Sequence, residues 1–287
     1  MFNQRYRIGA IAVVLTLASV AVEIPTQAAT YPTKIISLSP SATEDLFAIG
    51  AGKQVIAVDD LSNYPKNAPI TKLNAFTPNV EAIAAFKPDF VIVNRTATNA
   101  NSVQSQLAAL GIAVYMEKTP SMISGAYQEI SDLGTATGHS AEAASLISTM
   151  KKKISQTLAT KRRSASLTFF HELDNTLFSA TSDTFIGRVY KDFHLTNIAD
   201  AAGKADSGGY PQLQREYLIK ANPSVIFLAD SQYGESAKTV AKRAGWKKIA
   251  AVTNGQILAL PADIPSRWGP RLVDFYQYIA QSIKNFK

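Results

Sequence analysis

At 287 residues, with 46% hydrophobic and 18% charged side chains, the chain is long enough to bury two cores and too apolar to be a disordered polymer. Its formal charge of +7 comes from scattered basic residues, apart from runs at 151–153 and 161–163 that read as solvated helix faces, so nucleic acid is excluded as a partner. The sequence contains no cysteine, which excludes a disulfide framework and a lipid carried on that side chain.

Arg5 and Arg7 precede an uncharged apolar run over 8–22, followed by Pro25, Thr26, Gln27 and Ala28. This is the layout of a secretory signal over 1–28 with cleavage after Ala28. The apolar run falls short of the roughly 20 residues that span a bilayer. The expectation is a soluble periplasmic or secreted protein, whose basic charge drops by one when Arg5, Arg7 and Glu23 are removed.

Residues 31–138 read as a first α/β lobe. A β-branched strand over 34–38 enters a turn at Ser39 and Pro40, and Ser41 and Glu44 have the spacing of a capping box for a helix that stops at Gly50. A second strand over 55–58 leads through Ser62, Asn63, Tyr64 and Pro65 towards Phe76 and Pro78. Asn79 then caps a short helix ended by Pro88, and the strand over 90–93 is apolar on both faces, as a buried parallel strand requires. Helix, strand and helix follow over 102–110, 113–116 and 122–133. Such alternation implies right-handed crossovers and a mostly parallel sheet, with ligands held on the loops beyond the strands' carboxyl ends, where Ser39, Tyr64, Phe76, Asn94 and Arg95 lie.

The stretch over 139–163 repeats Ala, Leu, Ile and Met three and four apart. It reads as one long connecting helix capped by Ser140, with cations crowding its end. Residues 164–287 read as a second α/β lobe: a strand over 166–170, His171, Glu172 and Asp174, a short strand near Phe178, and a helix over 184–193. Its 214–228 segment echoes the first lobe, because Glu216 precedes Pro223 by the same interval as Glu81 precedes Pro88. Each glutamate sits in the first turn of a helix that passes into an apolar strand. Asn254 and Gly255 suggest a hairpin turn before a strand over 256–260. Asp263 and Arg267 lie in the loop after that strand, beside Trp268, and a closing helix covers 272–286.

The segments SLSPSATEDLFAIG, NVEAIAAFKPDFVIV, GGYPQLQREYLIKANPSVIFL and SRWGPRLVD together resemble the class III periplasmic binding proteins of ABC importers, in particular their vitamin B12, iron-siderophore and haem branches. The resemblance implies two α/β lobes bridged by a rigid helix, a monomer, and a small-molecule ligand held unreacted in the cleft between the lobes. No catalytic residue and no resident cofactor or metal is implied, although the ligand may itself be a metal complex. By position, Glu81 and Glu216 match the pair that docks on permease arginines. Tyr64, Phe76 and Tyr210 match cleft aromatics, Asp263 and Arg267 match a polar pair, and His171 falls near another cleft aromatic. Phe76, Asn94 and Tyr210 stand where B12 binders carry tryptophans, so a less bulky and more polar cleft is expected.

Two rival readings remain open on the residues alone. A metal-ion binder of related architecture would need converging imidazoles and carboxylates, for which the chain offers only His139, His171 and His194. An exported hydrolase could use His171, Glu172 and Asp174, but no GxSxG, HExxH or Walker loop accompanies them.

Overall fold

A computed structural model of the chain describes residues 30–160, 167–202, 207–261 and 263–284. The expected signal over 1–28 and the basic run at 161–163 lie outside these residues. Among the described helices none is long and apolar enough to cross a membrane.

The first lobe runs β1 (Ile35–Leu38), α1 (Pro40–Ala48), β2 (Val55–Val58), α2 (Val80–Ala84), β3 (Phe90–Asn94), α3 (Ala100–Ala109), β4 (Ala113–Glu117) and α4 (Ile123–Thr137). Helix α5 (Ser140–Ala159) follows. The second lobe runs β5 (Thr168–Glu172), α6 (Phe185–Asp192), β6 (Thr196–Asn197), α7 (Arg215–Ala221), β7 (Val225–Leu228), α8 (Ala237–Val240), α9 (Ala250–Thr253), β8 (Ile257–Ala259) and α10 (Leu272–Ile283). Each lobe holds a four-stranded parallel sheet, in the orders β2-β1-β3-β4 and β6-β5-β7-β8. The second order is the first with every strand replaced by its counterpart four places on, so the echo in the sequence is a repeated topology. In both sheets the winding direction reverses beside the first strand of the lobe, which places a ligand crevice beyond its carboxyl end.

Several local expectations are corrected. Ser39, not Ser41, caps α1: its side chain accepts from the Ala42 N–H, and Pro40 takes the first helical position, where its missing N–H costs nothing. Ser41 and Glu44 are buried within the helix instead. The long helix begins at Ser140 after His139, which makes no side-chain cap, and α4 extends one turn past the expected 133. Asn254 and Gly255 close α9 and lead into β8, which pairs parallel with β7, so they form no hairpin. The strand near Phe178 is a single antiparallel bridge to Gln212, and β6 was not anticipated because two residues carry no alternation to read.

The apolar stripe of α5, namely Ala143, Leu146, Ile147, Met150, Ile154 and Leu158, recurs at three and four residues. It packs into one continuous core that includes Ile35, Leu46 and Leu133 from the first lobe and Phe169, Tyr190 and Tyr276 from the second. Gly134 permits the close passage of α4 against α5, since a Cβ there would fall 2.5 Å from that of Ala143. The connecting helix is therefore seated in both lobes along its length, a geometry that resists bending.

A second join is polar. Arg271, at the start of α10, grips the buried Glu44 of α1 with two hydrogen bonds of 2.9 and 2.5 Å, and its guanidinium lies 4.3 Å from the Tyr64 ring centroid. Removing one partner of such a buried pair strands the other charge. Arg271→Met is expected to lower the unfolding free energy by about 3 kcal/mol, and the double variant Glu44→Gln with Arg271→Met to recover a substantial part of it, as read by urea denaturation. Equal losses in single and double variants would show that the pair joins nothing.

Candidate functional site

The loops beyond the carboxyl ends of both sheets enclose a cavity of about 370 Å³. The first lobe contributes Ser39, Phe76, Asn94 and Thr96, and the second Tyr233, Asp263, Arg267 and Trp268, among others. The site is built where the topology puts it: Ser39 follows β1, Asn94 ends β3, Tyr233 follows β7, and Asp263 to Trp268 follow β8.

Phe76, Asn94, Asp263 and Arg267 of the expected binding residues are brought together here. Phe76 is 62% exposed and Tyr233 83%, so one large ring from each lobe stands in solvent at the cavity. Asn94 is oriented by its neighbours: its Oδ1 accepts from the backbone and hydroxyl of Thr96, and its Nδ2 donates to Glu117.

Asp263 and Arg267 are placed as expected but differently employed. The Asp263 carboxylate accepts a 2.7 Å hydrogen bond from Asn63 of the opposite lobe, and Arg267 donates to the Leu61 carbonyl there at 3.1 Å. Their mutual distance is 3.8 Å, and Arg267 is buried. The pair thus ties the loop after β8 onto the first lobe through one Asp263 oxygen and one Arg267 nitrogen. The same loop continues the tie: Trp268 donates its indole N–H to Glu129 at 2.8 Å and its backbone N–H to Ser41 at 3.3 Å. Gly269 allows this approach, because a Cβ there would crowd Glu44 and the Ser41 carbonyl at 3.3 Å.

Tyr64 and Tyr210 do not line the cavity. Tyr64 is half-exposed beneath Arg271 at the seam between the lobes, and Tyr210 is partly exposed on the loop before Gln212. His171 is corrected outright. It lies on β5 with no exposed surface, bonded through Nδ1 to the Tyr190 hydroxyl at 2.8 Å, and burial drives its pKa down to about 3, so it is a neutral core residue and not a cleft ligand. Strand alternation carries the signal for this, since His171 shares a face with Phe169, which stacks on the same Tyr190 ring. Gln232, Tyr233 and Thr119 were missed; the rule that loops after strand ends carry the site points to all three.

Glu172, Arg243 and Glu235 form a second ion cluster at the end of β5, with Arg243 donating to both Glu172 oxygens at 2.6 Å and to Glu235 at 2.7 Å. Arg243 also lies 4.6 Å from the Trp246 ring centroid, so the cluster is a brace of the second lobe, with the hydrolase candidate Glu172 committed to it. Among the described residues no group of three or more His, Cys, Asp or Glu is placed to hold a metal ion. Glu81 and Glu216 are both exposed in the first turns of α2 and α7. Those turns follow loops that leave the carboxyl ends of the strands, so each glutamate stands on the cleft-bearing side of its own sheet.

A family model described as periplasmic binding protein matches residues 35–264. An ABC transporter substrate-binding lipoprotein of Bacillus subtilis is 32% identical over 259 residues, covering 88% of this chain and 80% of that protein. A vitamin B12-binding protein of Vibrio cholerae is 29% identical over 259 residues, covering 88% of this chain and 89% of that one. A possible iron-binding periplasmic solute-binding protein of Staphylococcus epidermidis superposes with a TM-score of 0.76 at 25% identity, over 90% of this chain and all of that one. With the family model spanning residues 35–264 and a relative 32% identical over most of both chains, the chain belongs to the periplasmic binding protein family.

Proposed function

We propose that the chain is the extracytoplasmic substrate-binding protein of an ABC importer, capturing a corrinoid or an iron complex such as haem or a ferric siderophore and delivering it unreacted to a membrane permease. The observation that carries this reading is the cavity itself, with walls from both lobes and one solvent-exposed ring on each side. Such a surface recognises a large, flat or chelated molecule by stacking and shape, and needs no nucleophile or acid-base pair. At about 370 Å³ the cavity is at the small end for ligand sites. A macrocycle would therefore enter by one edge, with the remainder held between Phe76 and Tyr233 or left to solvent.

Glu81 and Glu216 supply the permease contact in this reading, as two exposed carboxylates at equivalent helix starts suited to paired arginines. Family relatives include a lipoprotein, whereas this sequence has no cysteine to carry a lipid; export by the apolar run over 8–22 and function as a soluble monomer complete the proposal.

The test is a thermal titration with cyanocobalamin, haemin and a ferric siderophore. The bound class is expected to stabilise the native state by about 2.7 kcal/mol at a hundredfold excess over Kd; no response to any of the three would refute the ligand assignment. Phe76→Ala and Tyr233→Ala are each expected to weaken binding of the responsive compound about tenfold or more, a loss of 1.4 kcal/mol or more, while the melting temperature of the free protein stays unchanged. Glu81→Ala combined with Glu216→Ala should leave that affinity intact and abolish uptake in a strain carrying the permease, and retained uptake would remove the docking role.

A further inference from the structure

The loop after β4 separates the cleft cavity from a second cavity of about 450 Å³, and Thr119 lines both. Because β4 is an edge strand of its sheet, no further strand covers this side, and the space is walled by the loop and the first turns of α4. Gly125 lets the loop lie close on α4, since a Cβ there would fall 2.7 Å from that of Pro120. The two cavities are also joined through a side-chain contact. Trp268, in the wall of the cleft, donates its indole N–H at 2.8 Å to Glu129, in the wall of the second space.

The polar groups of this space are set to accept. Asp132 takes a 2.7 Å hydrogen bond from the Gln128 amide and a weaker one, at 3.4 Å, from the Tyr115 hydroxyl. Glu129 is only 4% exposed, takes the indole on Oε2, and has no donor for Oε1. A buried acceptor without a donor is costly, so the unfilled oxygen marks where a donor from outside the protein would be accommodated. Lys118 is the one basic side chain among the described residues of the lining, and it is exposed. Met116 and Met122 add a polarisable apolar wall suited to an alkyl chain.

We propose that this space is an annex of the cleft that takes a side arm of the cargo ending in a hydrogen-bond donor, an amide or an ammonium group, and rejects an arm ending in a carboxylate. Given the cleft as the cargo site, on which this rests, a flat or chelated head stacks at Phe76 and Tyr233 while the arm passes Thr119 towards Glu129 and Asp132. The added space also answers the small volume of the cleft cavity taken alone. A carboxylate arm would meet two carboxyl side chains and leave Oε1 of Glu129 unfilled, which is discrimination by an unfavourable contact. Corrinoids, which carry amide arms, and siderophores with a free amine fit the annex. Haem, whose two arms are carboxylates, does not.

The annex can be probed without a cargo. Pentylammonium and pentanoate, alike in length and opposite in charge, are titrated into the ligand-free protein near neutral pH. The indole N–H signals of its two tryptophans are followed by proton–nitrogen correlation spectroscopy, with Trp268→Phe identifying one of them. Pentylammonium is expected to move the Trp268 signal saturably, with an affinity on the order of millimolar, and to leave Trp246 in place, whereas pentanoate should move neither. Asp132→Asn, at a half-buried position, should weaken that response about tenfold. Adding Glu129→Gln should abolish it, with an unmoved Trp246 signal reporting that the fold is kept. A Trp268 signal that ignores pentylammonium, follows pentanoate as strongly, or responds unchanged in the double variant would overturn the proposal. In thermal titration with cyanocobalamin, haemin and ferrioxamine B, which carries a terminal ammonium, haemin is expected to rank below at least one of the others. Haemin giving the largest stabilisation would overturn the donor preference. No response to any of the three, beside an intact pentylammonium response, would refute the cargo reading alone.

Discussion

Arg271 on Glu44 joins positions 227 residues apart in the chain, and the arrangement of the cleft depends on that contact. It sits at the end of a loop from the second lobe that touches the first at Leu61, Asn63, Ser41 and Glu129 before α10 begins. Behind it, α5 carries an apolar stripe into a core shared by both lobes. Each fully buried large apolar side chain contributes about 1.5–3 kcal/mol, so the shared core outweighs any single polar tie and sets the distance between the lobes. The polar loop then sets their orientation. Together they leave a cavity whose walls are fixed before a ligand arrives, which lowers the ordering cost of binding.

The division of labour between polar and apolar groups follows from that. Several polar side chains around the cavity are tied to neighbours: Asn94 to Thr96 and Glu117, Asp263 to Asn63, and one Arg267 nitrogen to the Leu61 carbonyl. The most exposed surface at the cavity is aromatic, on Phe76 and Tyr233. A site of this kind discriminates by shape and stacking more than by charge, and that agrees with a transport cargo which is bulky, conjugated or chelated and leaves chemically unchanged.

Architecture was legible in the sequence because it is written in local patterns. The apolar run of β3, the stripe of α5 and the equal spacing from Glu81 to Pro88 and from Glu216 to Pro223 each need only neighbouring residues, and the repeated sheet order confirms what the spacing implied. Partnerships between distant segments were not legible. Asp263 and Arg267 look like a ligand-binding pair until Asn63 and Leu61 are found opposite them, and no periodicity announces those partners. His171 was misplaced by alignment to a cleft aromatic, although the phase of β5, with Phe169 on the same face, points it into the core. Ser39 outcompeted Ser41 as a cap because Pro40 fits only the first helical position, a local rule that outweighs the capping-box spacing.

The central claim is that the lobes are held at one fixed separation across the cleft. Because the chain has no cysteine of its own, spin labels can be placed uniquely at Glu81→Cys and Glu216→Cys, and the distance between them read by double electron-electron resonance in the ligand-free protein. The account predicts one narrow distance distribution; a broad distribution, or two separated populations, would contradict it.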